Sequence, residues 1–378
     1  MEFKNTKKLC DAFLDMGIPC FDILVMKDGE VALRYMGGYA DPDAKTPMTG
    51  KEKYHIYSCS KLLTVVSAFQ LWEKGLFSLE DKLSKYFPEY EHMMIKTENG
   101  LVPAKNPIII QQLFQMTSGM SYDLWTPELK AYYEDSGRTC PTLEMVRRMA
   151  KTPLLFEPGT SWFYSLSHDV LAGLVELLSG QKFEDYVKEH IFDPLGMENS
   201  DFLHPLKDWE GFARQYWYKE DTKTFDPWWR NFYRPGNEYA SGGAGCVSTV
   251  EDFIKFLEAL RFDGKLLKKE TIDMMSKDWL NEEQRKACHY STPSIGYGLG
   301  VRAPRVGGDR TEFGWGGAAG AFASVDPVNN MSIYYAQHVL TAPNRELRVW
   351  LYKAVMADLR GEELHIPALE KYDANMTY

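Results

Sequence analysis

The chain of 378 residues is 44% hydrophobic and 25% charged with a net charge of -10, which supports one large domain or two lobes around a sizeable core and excludes disordered and fibrous classes. The acidic balance argues against nucleic acid or an anionic membrane as the main partner, since both call for a basic face. Cys10, Cys20, Cys59, Cys140, Cys246 and Cys288 form no C-x-x-C pair and have no His at ligand spacing, so they are expected as reduced, buried thiols, with no metal site and no cofactor.

The N-terminus continues from Lys7-Lys8 into an amphipathic stretch with Asp11 and Asp15 instead of an apolar signal core, and no apolar run is long enough to span a membrane. The expected location is the cytoplasm. Leu9 to Met16 reads as a short helix. Apolar runs at Phe21 to Met26 and Val31 to Gly37 flank Lys27-Asp28-Gly29-Glu30, and an Asp-Gly between two such runs predicts a hairpin. A buried helix is expected from Ser58 to Lys74, stopped at Gly75.

Helical, turn-rich sequence follows to Pro88. Further helices are expected over 107–119, 142–150, 167–179 and 183–192. Alternation returns near Ala213 to Lys219, and the aromatic cluster Trp228-Trp229-Arg230-Asn231-Phe232-Tyr233 reads equally as lobe packing or as the wall of an apolar pocket. Gly242-Gly243-Ala244-Gly245 leads to Ser248-Thr249-Val250-Glu251, a Ser-x-x-Glu capping box. Strands are expected at Tyr297 to Ala303, Gly320 to Asp326 and Met331 to Gln337, before a last helix from Glu346 to Leu359. Strands at both ends with helices between them imply an α+β fold in which the terminal strands meet in one antiparallel sheet. The expected division is 1–57 with 237–378 for the sheet domain and 58–236 for a mostly helical lobe.

The chemistry centres on Ser58-Cys59-Ser60-Lys61, with a hydroxyl and an amine three residues apart at a helix start. There the positive end of the helix favours a nucleophile that develops negative charge. Alone the pattern is cheap, because Ser179-Gly180-Gln181-Lys182 repeats it. Ser167-His168-Asp169 spells a triad, but neighbours on a helix point about 100° apart and cannot relay to one another. The G-x-S-x-G elbow of α/β hydrolases has no match. A desolvated Lys61 can instead accept the serine proton or hold a tyrosine as phenolate. Tyr164, in the turn Tyr164-Ser165-Leu166, is the candidate tyrosine.

With Trp315-Gly316-Gly317 further on, these motifs come in the order and rough spacing of the serine β-lactamase and penicillin-binding protein superfamily. The chain resembles its class C β-lactamase branch and, within it, the family VIII carboxylesterases. Thr117-Ser118-Gly119, Phe156-Glu157-Pro158-Gly159, Pro194-Leu195-Gly196-Met197 and Tyr297-Gly298-Leu299-Gly300 add to the likeness. The resemblance implies a β-lactamase/transpeptidase-like fold, Ser58 as acylated nucleophile, Lys61 as its activator and Tyr164 as general base or proton shuttle. It also implies an oxyanion hole from the backbone N-H groups of Ser58 and Ala318, with Trp315, Gly316, Gly317 and Leu166 at the substrate.

Two departures bear on specificity. Leu166 stands where class C lactamases carry the Asn of Tyr-x-Asn, and Trp315 stands where lactamases and peptidases place a cation for the substrate carboxylate. Both point towards acyl groups without an essential carboxylate, so that the resemblance implies a serine hydrolase acting through an acyl-enzyme on small or medium carboxylic esters. The alternatives are a β-lactamase or D-alanyl-D-alanine carboxypeptidase, an acyltransferase, or a non-catalytic penicillin-binding sensor.

Overall fold

The computed structural model describes residues 2–262, 264–367 and 369. Helix α1 (Lys4–Asp15) precedes a hairpin of β1 (Cys20–Lys27) and β2 (Glu30–Asp41), followed by the short β3 (Thr46–Pro47). Asp28 and Gly29 both have positive φ, 54° and 82°, which is the backbone twist that suits a two-residue hairpin turn. From the C-terminal half come β4 (Ile295–Tyr297), β5 (Arg302–Pro304), β6 (Phe313–Gly316), β7 (Phe322–Asp326) and β8 (Met331–Ala336). The eight strands form one antiparallel sheet in the order β4-β5-β6-β7-β8-β1-β2-β3. Ile23 of β1 sits opposite Tyr335 of β8, and Val25 opposite Ile333. The two ends of the chain therefore meet at the centre of the sheet, as the sequence pattern implied.

Strand alternation divides the core. Phe21, Ile23 and Val25 join Ile333 and Tyr335 on one face, under α1 and α5 (Leu351–Arg360). Leu24, Tyr334 and Ala336 face the other way, towards the helices that carry the site. Asp358 of α5 fastens the two outer helices together. Its Oδ1 accepts the Asn5 N-H and its Oδ2 accepts the Thr6 N-H, both at 2.9 Å, supplying the acceptors that the first turn of α1 lacks.

On the inner face the organising helix is α2 (Ser60–Glu73), buried around almost its whole circumference by Leu62, Leu63, Val65, Val66, Ala68, Phe69 and Leu71. It packs against α3 (Ser167–Ser179), while α4 (Val250–Phe262) covers β8 and β1.

Several boundaries differ from the sequence expectation. The stretch 76–88 makes turns and two 3₁₀ pieces, Leu83–Lys85 and Pro88–Tyr90, not a helix. The strand expected at Tyr297 to Ala303 is a tight hairpin, closed by the Gly298 N-H on Val301 O and by Gly300 at φ 86°. The cap of α4 is Thr249, whose hydroxyl accepts the Asp252 N-H at 3.1 Å; Ser248 instead pairs with Ser200. The last helix is interrupted at Val349-Trp350, where Trp350 N-H bonds Leu347 O three residues back. Among the described residues no helix is long and apolar enough to cross a membrane, and all six cysteines are buried and unpaired.

Candidate active site

Ser58 does not sit inside an α-helix. It occupies a 3₁₀ turn, Tyr57–Cys59, immediately before α2. Tyr57 enters that turn at φ 48°, a costly conformation for a bulky residue. Its fully buried hydroxyl accepts from Gln215 Nε2 at 2.6 Å, which helps to hold it there. The strand Lys53–His55 before the turn pairs with Val247–Thr249, and Ile56 N-H bonds Cys246 O. Beyond the turn, Ser60 Oγ accepts the Cys246 N-H at 3.0 Å, so both sides of the Ser58 turn are tied to the segment that runs from Ser241 to Thr249.

That segment is wedged between α2 and α3. Gly242 O accepts from Thr64 Oγ1 at 2.7 Å, and a Cβ at Gly242 would lie 2.6 Å from His168 O and 2.7 Å from Ala172 Cβ. Glycine is needed at 242 because two helices close on it.

Lys61 is fully buried, while Ser58 is 8% exposed. The amine reaches Ser58 Oγ at 3.4 Å, Tyr122 OH at 3.3 Å and Gly243 O at 2.7 Å. Burial pulls its pKa down to about 7, against an opposing pull from Asp169. An amine so poised can exist neutral near pH 7 and act as a base.

The phenols behave differently. Burial drives both Tyr122 and Tyr164 well above the usual phenol value, and both interact with the Ser58 hydroxyl. The resting site therefore holds neutral phenols beside an amine that exchanges its proton near pH 7, not a phenolate beside a permanent ammonium. Lys61 Nζ lies over the Tyr164 ring, 4.6 Å from its centroid, whereas its hydrogen bond to a tyrosine oxygen goes to Tyr122. The Tyr164 oxygen instead accepts from Trp315 Nε1 at 3.1 Å, and the two rings stack with centroids 5.7 Å apart.

Trp315 and Gly316 lie at the end of β6, followed by Gly317 and Ala318. A Cβ at Gly317 would come within 2.3 Å of Ile56 O, whereas one at Gly316 meets nothing nearer than Ala321 O at 3.3 Å. Gly317 is thus dictated by the close approach of the chain after β6 to Ile56, just before the Ser58 turn. Cys59 Sγ adds a weak contact to Trp315 O at 3.9 Å.

The structure brings Ser58, Lys61, Tyr164 and Trp315 together. Leu166 is 3% exposed and packs in the apolar core, with its N-H on Ser121 O. The aromatic cluster splits its roles: Trp228 packs on Trp217, Tyr233 stands 5.3 Å from Tyr122 and 6.0 Å from Tyr57, and Trp229 and Phe232 remain exposed. Tyr122 was not legible in sequence, since no local pattern marks a residue 61 positions from the lysine it touches. His168 turns away to Phe114 O, and burial holds its pKa down to about 3. The Ser-His-Asp string is therefore no triad.

An antiparallel sheet built from both chain ends, with helices inserted and a serine-lysine pair set against a sheet strand, defines the β-lactamase/transpeptidase-like class of protein. The chain belongs to the Beta-lactamase family, whose model matches residues 7–355. It is 30% identical over 325 residues to the lovastatin esterase of Penicillium rubens, covering 76% of this chain and 79% of that protein. It is 29% identical over 283 residues to the ML-236A carboxylate methylbutanoyltransferase mlcH of Penicillium citrinum, covering 72% of this chain but 66% of that transferase's length. Among solved structures it is similar to EstCE1, described as a hydrolase with promiscuous acyltransferase activity, at a TM-score of 0.76 and 24% identity over 93% of this chain and 97% of that one. The family relatives thus include both esterases and acyltransferases.

Proposed function

We propose that this protein is a cytoplasmic serine hydrolase of the class C β-lactamase-like type, closest to the family VIII carboxylesterases, which acts on small or medium carboxylic esters through an acyl-enzyme. The observation that carries the reading is a serine hydroxyl 3.4 Å from a fully buried amine whose pKa is pulled down to about 7. Ser58 Oγ attacks the ester carbonyl while its proton passes to Lys61, and the N-H groups of Ser58 and Ala318 receive the developing oxyanion. Tyr164 shuttles a proton to the departing alkoxide, and water then repeats the sequence to release the acid. Trp315, buried against Tyr164, puts an indole in place of the cation that a carboxylate-bearing substrate would need, which supports ester over lactam. Buried free thiols fit a reducing compartment. The substrate is a small molecule, and no nucleic acid or membrane partner is proposed.

Turnover of p-nitrophenyl butyrate and of nitrocefin, each beside Ser58→Ala, tests this. Ester turnover that vanishes in the variant is expected, with nitrocefin turnover much lower. Ester turnover that survives in Ser58→Ala would sink the proposal. A second reading, acyl transfer to an alcohol, is supported by the methylbutanoyltransferase relative.

A further inference from the structure

One buried carboxylate beside Lys61 takes no part in the steps above. Asp169, in the first turn of α3, is 1% exposed. Its Oδ1 accepts from Tyr239 OH and Ser241 Oγ, both at 2.7 Å, and from the Gly243 N-H at 3.3 Å. Its Oδ2 has no hydrogen-bond partner. Three donors on one oxygen and none on the other is an unusual state for a buried carboxylate, because a bare buried acceptor costs free energy.

Gly243 shows what the bare oxygen faces. A Cβ there would lie 2.5 Å from Asp169 Oδ2 and 3.3 Å from Lys61 Nζ, so both atoms border the same small space, which is open because residue 243 has no side chain. The backbone of Gly243 also joins the two groups, donating its N-H to Asp169 and accepting from Lys61 at 2.7 Å.

We propose that Asp169 and Gly243 form a counter-ion seat for Lys61, acting as positioning residues that stabilise the buried amine when it takes up the Ser58 proton. The proposal rests on the reading of Ser58 and Lys61 as the acylating pair. As the Ser58 Oγ-H bond breaks and the Oγ-C bond forms, the proton moves to Lys61 Nζ; as the ester C-O bond breaks, a proton is returned to the leaving alkoxide and Lys61 is neutral again. In the intermediate state a buried carboxylate with one bare oxygen has gained an ammonium, and the seat offsets part of the desolvation cost of that cation. The other titratable groups facing Lys61 are Tyr122, Tyr164, Cys59 and His168. Burial keeps the phenols and the thiol protonated and the imidazole neutral, which leaves Asp169 as the group that favours a proton on the amine.

The test uses the full chain with Asp169→Asn and Gly243→Ala, the latter keeping the carboxylate but filling the shared space. The pH profile of kcat/KM for p-nitrophenyl butyrate is read together with a melting curve. Removing the carboxylate lowers the proton affinity of Lys61, so the acid limb moves to lower pH by about one unit, while turnover on the plateau falls at least about tenfold. Gly243→Ala moves the limb the same way and decides the matter if Asp169→Asn does not fold. An acid limb that stays where it is in a folded variant, with only the melting temperature changed, overturns the seat and leaves Asp169 a purely structural residue. Mass-spectrometric labelling of wild-type Ser58 by a fluorophosphonate separates the two claims: a labelled Ser58 with an unmoved limb refutes the seat alone, whereas an unlabelled Ser58 refutes the acylating pair beneath it.

Discussion

Replacing Lys61 by Met isolates the energetic cost of the buried amine. The amine is fully buried and its pKa falls from 10.5 to about 7, which corresponds to a penalty of about 5 kcal/mol when it is protonated in the folded state. Because the folded pKa is the lower one, the unfolded chain binds more protons between pH 7 and 10.5. The penalty is therefore full below about pH 7 and is relieved as pH rises towards 10.5. Met fills much of the same space without charge, but it leaves Gly243 O and Tyr122 OH without their donor, at a cost of about 1–3 kcal/mol. Lys61→Met should thus be more stable than the wild type by about 2–4 kcal/mol at pH 6, an advantage that shrinks by about 3 kcal/mol by pH 9. It should also lose at least about 100-fold in esterase turnover. Urea unfolding of both proteins at the two pH values measures the difference. A stability gap that is the same at pH 6 and pH 9 would show that Lys61 keeps an ordinary pKa, and the argument for a neutral amine base would fail.

Two further substitutions probe the site and the fold. Tyr122→Phe removes the hydroxyl 3.3 Å from Lys61 Nζ and should lower kcat at least about tenfold, as should Tyr164→Phe; wild-type kcat in Tyr122→Phe would deny that contact any part in proton transfer. Asp358→Ala removes the acceptor for the Asn5 and Thr6 N-H groups and for Thr6 Oγ1, and should cost about 1–3 kcal/mol in urea unfolding with kcat unchanged. A loss below about 0.3 kcal/mol would mean that water caps α1 as well as the carboxylate does.

The sequence alone determined features whose physics is local or repeats along the chain. The Asp28-Gly29 turn needs two residues at positive φ, and its composition says so. The apolar run from Leu62 to Leu71 can only be a buried helix once Gly75 ends it. Ser58, Lys61, Tyr164 and Trp315 could be singled out as candidates because each sits in a short motif that resembles a family, and the fold brings the four together. Local signals erred by a residue or a turn where two capping hydroxyls compete, as at Ser248 and Thr249, or where glycines permit either a strand or a hairpin, as at Gly298 and Gly300.

Tertiary structure decided what depends on atoms far apart in sequence. Tyr122 meets Lys61 across 61 positions, Gly243 meets it across 182, and Asp169 shares the space above Gly243 with it. No periodicity records such meetings, because each is produced by two helices and a glycine loop closing on one point. The same holds for the charge state of the site. Residue types allow either a phenolate beside an ammonium or a phenol beside an amine, and it is burial, a property of the whole fold, that raises the tyrosines and lowers the lysine.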